Sequence, residues 1–167
     1  ELADPELWKF RDELYRHLSE PLLASVPLGA AMVAFVDQAG KEAQQLFDVA
    51  FAPEEPQGKA EWRPLAGAGP TMDLLPVAGG DHCIVYLKTR VLCPKAQPVA
   101  LEIGTDDGVK LWINGALVHA NNAVRGFTAG EDKAKAELKE GWNDILVKVT
   151  QHTAGCAASV RIKTADG

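Results

Sequence analysis

Serine is nearly absent from this chain of 167 residues: Ser19, Ser25 and Ser159 are all it has. None sits in the Gly-x-Ser-x-Gly turn that exposes a nucleophilic serine, so acyl transfer of that kind has no carrier. Histidine is as sparse. His17, His82, His119 and His152 are scattered and lack the i, i+4 spacing of helical zinc ligands. The cysteines, Cys83, Cys93 and Cys156, are an odd number in no metal-type spacing. Cys83 alternates with Val85 and Leu87 and reads as a small core side chain, with a Cys83–Cys93 bridge left open. Positive charge is also short, because 17 Lys and Arg against 23 Asp and Glu leave a net charge of −6. Without a basic block, that balance argues against nucleic acid and anionic membrane as partners. No apolar run approaches the ~20 residues of a spanning helix. The longest, residues 28–36, is diluted by glycine and alanine. No phosphate-cradling glycine loop is present.

What is present is alternation. Hydrophobic residues make up 47% of the chain and charged ones 24%, the balance of one globular domain with a real core. In residues 101–119, LEIGTDDGVKLWINGALVH, Leu101 and Ile103 alternate with Glu102 and Gly104. Val109, Leu111 and Ile113 alternate in the same way with Lys110 and Trp112. A period of two is that of a half-buried antiparallel strand. Asp107-Gly108 and Asn114-Gly115 supply the dipeptides of hairpin turns. Further strands are expected at residues 31–36, 46–51, 61–65, 82–92, 99–104, 109–114, 116–119, 133–138, 144–151 and 157–163. Short strands with turn signals every 8–12 residues predict an all-β, jelly-roll-like antiparallel sandwich. Ahead of it, residues 4–19 read as a helix. Asp4 is its N-cap, Pro5 its first position, and Leu7, Phe10, Leu14 and Leu18 form one apolar stripe. The expected division is a helical extension or linker over 1–27 and a sandwich over 28–167. A start at Glu1 reads as a mature product or a fragment.

The pattern DDGVKLWINGALV with the later KEGWNDILVKV resembles a motif pair of β-sandwich domains with the galactose-binding-domain-like fold. Such domains are appended to bacterial glycoside hydrolases and other multidomain secreted proteins. Phe47-Asp48-Val49-Ala50-Phe51-Ala52-Pro53-Glu54 and Trp62–Leu65 stand where that family has FDxxFxPE and WxxL segments. Val36-Asp37-Gln38 departs from its Gly-Pro-Phe. The resemblance spans residues 32–167 and is specific from about residue 82 onward. It implies a non-catalytic carbohydrate-binding module of a larger extracellular or envelope protein, with polysaccharide or oligosaccharide as ligand and the parent protein's other domains as neighbours. The alternative, from a different class, is a structural sandwich that positions those neighbours and binds no sugar.

The candidate site residues follow from chemistry and strand direction. Asp106 and Asp107 are adjacent, so they do not face each other across a substrate as a glycosidase pair must. Their DDG also resembles the SDDG of PA14-type lectin domains, which implies calcium held by Asp106 and Asp107, with Asn121 or Asn122 as a third ligand. The plain alternative is a turn in which the aspartates bond nearby backbone N–H groups. Loop 121–133 carries Asn121, Asn122 and Arg125, whose paired donors and acceptors suit vicinal hydroxyls. Following the strands up and down brings this loop, the Asp106-Asp107 turn and loop 151–155 to one rim, where a sugar is expected to bind. Trp112 is a secondary candidate as a stacking platform on the sheet face.

Overall fold

The computed structural model describes residues 26–27, 32–36, 43–65, 70–78 and 80–165. The helix expected over 4–19 and most of loop 37–45 lie outside them. Among the described residues eleven strands follow in order: β1 (Val26–Pro27), β2 (Met32–Val36), β3 (Arg63–Pro64), β4 (Met72–Asp73), β5 (Cys83–Cys93), β6 (Gln97–Asp106), β7 (Gly108–Ile113), β8 (Ala116–Asn121), β9 (Asp132–Leu138), β10 (Gly141–Gln151) and β11 (Ala157–Thr164). They form two antiparallel sheets. One has the order β1-β11-β6-β9, with β4 also on β11, and the other β3-β2-β5-β10-β7-β8. The fold is an all-β sandwich. Val26–Pro27, just ahead of residue 28, already pair with β11.

The alternation of β5, β10, β7, β6 and β11 builds the core between the sheets. Val85, Leu87, Val147, Val149, Val109, Leu111, Leu101, Ile103, Val160 and Ile162 are all buried in one cluster. Each such side chain contributes about 1.5–3 kcal/mol by leaving water. Cys83 and Cys93 stand at opposite ends of β5. Ten residue steps of extended chain separate them by about 33 Å, so the bridge left open by the sequence is excluded.

Two expectations are corrected. Asp107-Gly108 is not a hairpin turn, because β6 and β7 belong to different sheets. It is the corner where the chain crosses between layers, and Gly108 is needed because a Cβ there would lie 2.5 Å from Thr150 Oγ1. Asn114-Gly115, by contrast, does close the β7–β8 hairpin, with φ of 51° and 82°. Asn143, fully buried, holds the far end: its amide donates to the carbonyls of Lys139 and Gly141 and accepts from Lys139 N and Asn114 Nδ2.

The second correction concerns residues 46–51, which form no strand. A helical turn (Ala43–Leu46) leads into a segment that crosses the outward face of the six-stranded sheet. Lys148, fully buried on β10, donates to the carbonyls of Phe47 at 2.9 Å and Val49 at 2.6 Å and to Glu54 Oε1 at 3.0 Å. Tyr86 donates its hydroxyl to the same Glu54 oxygen. Carbonyls that would have joined a ladder therefore serve an ammonium. Burial pushes Lys148 below its ordinary value and pushes Tyr86 up.

Candidate functional site

The corner between β6 and β7 builds the site from beneath. The Asp106–Asp107 peptide is cis. Thr105 Oγ1 donates to the Asp107 carbonyl at 2.7 Å, and Asp107 N donates to Thr150 O at 3.2 Å. The Asp107 side chain is buried, 4% exposed. Its two carboxylate oxygens then accept the backbone N–H of Arg125 at 2.8 Å and of His152 at 2.7 Å. Two loops, 122–131 and 152–156, hang from one carboxylate by bonds of the stronger, charge-assisted kind.

Asp132, at the start of β9, is the second hub. Arg125 reaches both of its oxygens, at 3.1 and 2.6 Å, and Thr105 Oγ1 at 2.9 Å. Asn121 Nδ2 donates to Asp132 Oδ1 at 3.0 Å, and His119 Nε2 lies 3.2 Å from Oδ2. Burial by itself raises the Asp132 carboxyl, but the bonds from Arg125, Asn121 and His119 outweigh it and bring it to about 2. The bond to Asp132 in turn raises Arg125. Strands β8 and β9 end their respective sheets, so this network joins the two layers along one open edge.

Asp106 is half-buried and is treated differently. Burial and then the charge of Asp107 raise its carboxyl, against a backbone hydrogen bond from Phe127. A Cβ on Gly155 would lie 2.6 Å from Asp106 Oδ2, so loop 152–156 comes close over it.

The predicted rim residues are thus partly assembled. Asp106, Asp107, Asn121 and Arg125 share one end of the sandwich, the last three tied together through Asp132 and Thr105. Asn122 is exposed and donates to Gln44 O at 3.3 Å, which joins the rim to the crossing segment. Trp112 lies elsewhere. It is half-buried on the outward face of β7, paired with Leu146 of β10 and Leu117 of β8. Trp142 is half-buried under Arg90, whose guanidinium lies 4.7 Å from the ring centre.

Calcium at this corner, as the lectin resemblance implies, would compete with hydrogen bonds already in place. Calcium takes 6–8 oxygens, usually from several carboxylates. Both oxygens of Asp107 already accept backbone amides. Among the described residues no group of three or more His, Cys, Asp or Glu side chains is arranged to hold a metal ion.

Sequence reasoning missed Asp132 and Thr105 as organisers and Lys148 as a buried cation. A lysine inside the apolar run ILVKV was the available signal for the last. Nothing in EDKAKAEL separated Asp132 from its solvated neighbours.

No known family profile matches this chain, and no curated protein does. Solved structures share its fold. A beta-glucosidase from Kluyveromyces marxianus superposes with a TM-score of 0.52 over 81% of this chain and 16% of its own, at 14% identity. A GH2 beta-galacturonidase from Eisenbergiella tayi does so with 0.53, over 83% and 24%, at 7% identity. An anti-sigma factor domain-containing protein from Clostridium clariflavum gives 0.51 over 82% and 42%, at 16% identity. The chain therefore spans less than half the length of each.

Proposed function

We propose that this chain is a non-catalytic sandwich module of a larger carbohydrate-active protein, and that it touches glycan at the rim above Asp107. The observation that carries this reading is the Asp107 carboxylate. It fixes two loops through their backbones, so the loop tops stand preorganised without using their side chains. At that end Asp106 is half-buried, Asn122 is exposed, and Val124, 55% exposed, offers an apolar surface for the C–H face of a sugar. Superposition on parts of two glycoside hydrolases supports the fold, and fold alone does not carry a function. Non-catalysis is supported by the acids themselves. Asp107 is buried under amides and Asp132 under Arg125, so neither forms a pair across an open cleft.

A second reading has its own observation. Asp107, Asn121, Arg125 and Asp132 bond one another, which suits a domain that holds its neighbours in place and binds no sugar. A glycan array followed by titration of Asp106→Ala and Asn122→Ala separates the two. Binding that weakens about tenfold or more in these variants, with the thermal midpoint unchanged, supports the rim. Absence of any glycan binding favours the positioning role.

A further inference from the structure

The outward face of the five-stranded sheet carries charge of the sign that the whole chain lacks. The register sets Lys133, Glu102 and Arg161 in one cross-strand row and Lys135, Ala100 and Lys163 in the next. Strands stand ~4.8 Å apart and alternate residues ~6.7 Å apart, so the four cations mark the corners of a patch of roughly 10 by 7 Å. One acid lies among them. Glu102 Oε1 accepts Lys133 Nζ and Lys163 Nζ, both at 2.8 Å, while Oε2 is 3.7 Å from Arg161. Those bonds hold its carboxyl at about 2, so it stays charged but is outnumbered. Lys135 is exposed and faces only Ala100 across the ladder, and Glu137 follows at the end of the stripe.

Beside this patch is a recess. Ser159 pairs with Gly104 in the adjoining row, and a Cβ on Gly104 would lie 2.3 Å from Thr128 O, so the bare glycine lets loop 122–131 settle on the sheet. What remains is a cavity of about 90 Å³ lined by Pro70, Thr71, Glu102, Gly130, Ser159 and Arg161. Ser159 is 7% exposed and, among the described residues, its hydroxyl has no hydrogen-bond partner. A hydroxyl lining such a cavity can exchange water for a ligand hydroxyl.

We propose that this face is a second glycan contact, specific for chains that carry carboxylates. A uronate carboxylate lies among Lys133, Lys135, Arg161 and Lys163, and a hydroxyl of the same or the next sugar enters the recess to meet Ser159 Oγ and Glu102 Oε2. The inference rests on the carbohydrate reading but uses none of the rim residues. Glu102 in the middle of the patch disfavours a continuous phosphate backbone, and the net charge of −6 repels any dense polyanion. A uronate chain is sparser in charge and supplies the hydroxyls that the recess requires.

The test uses the intact chain and calorimetric titration with oligogalacturonate, with neutral galactan and glucan oligomers, and with duplex DNA, at low and high salt. Lys135→Gln and Ser159→Ala remove groups that bond no other side chain or carbonyl among the described residues, so both variants are expected to keep the thermal midpoint. The expected result is oligogalacturonate binding that weakens with salt and drops about fivefold or more in each variant, with Asp106→Ala unaffected. The inference is overturned if oligogalacturonate does not bind, or if binding ignores both variants. Duplex DNA binding equally well and indifferent to Ser159→Ala also overturns it, since that is unspecific charge attraction. Neutral glycan bound through Asp106 without oligogalacturonate binding sinks this inference and leaves the rim reading standing. Loss of both kinds of glycan binding sinks the two together.

Discussion

At the scale of single residues, the acids of this chain do three different things according to what surrounds them. Asp107 is an internal acceptor, Asp132 the acceptor of an arginine, and Asp106 a partly buried carboxyl beside a like charge. Their pH signatures differ in sign. Asp132 sits at about 2 when folded, below the ordinary ~3.9 of an unfolded aspartate. Its contribution is therefore complete above about pH 4 and is lost as pH falls towards 2. Asp106 is raised, so what it contributes is present at low pH and lost as pH rises through its folded value. Glu102 is shifted the same way as Asp132 but lies half-buried on the outward face of the sheet, where salt screens it. Thermal midpoints of wild type and Asp132→Asn between pH 7 and 2 should accordingly converge: a clear gap at neutral pH that closes below pH 4, in high salt as well. Parallel curves down to pH 2 would show that Asp132 does not join the layers as an ion.

At the scale of elements, the segment 43–65 is the one whose placement depends least on its own sequence preference. It lies across β5 and β10 because Lys148 offers an ammonium that must be satisfied on that face, and Leu46, Phe51 and Trp62 pack with Ile84, Tyr86 and Leu146 around it. Lys148→Met keeps the volume, leaves two carbonyls without a donor and leaves Glu54 with the Tyr86 hydroxyl but no cation. Breaking a buried pair from one side typically costs about 3–5 kcal/mol. Because Glu54 keeps some contact with water, the lower end, roughly 3 kcal/mol, is expected in urea unfolding. Hydrogen exchange should rise first in residues 43–60. A midpoint shift worth less than about 0.5 kcal/mol would mean that apolar contact alone holds the segment.

For the whole molecule, burial rather than covalent bonding provides stability. Cys83, Cys93 and Cys156 are buried thiols in no disulfide, and burial pushes the Cys156 thiol up, away from its reactive form. Native protein should leave a thiol reagent unreacted over minutes and take up three equivalents once unfolded, with the melting temperature indifferent to reductant. Reaction in the native state would show that an end of β5 or the loop ahead of β11 opens locally. The all-β sandwich was legible because alternation in β5, β6, β7, β10 and β11 is a local property: neighbours two apart must share a face wherever the strand lies. Strand direction likewise placed loops 121–132 and 151–156 near Asp106 and Asp107 before any distance was known. What sequence could not decide were the relations across layers. Asp-Gly suits a hairpin or a corner equally, and only the division of β6 and β7 between sheets made it a corner. FDVAF reads as a strand until Lys148, about a hundred positions away, takes its carbonyls. Arg125 reads as a residue for sugar hydroxyls, and its pairing with Asp132 shows only once the sheets have packed. Those outcomes depend on which group arrives opposite which after the sheets pack, and that is fixed by the sum of all contacts rather than by any local pattern.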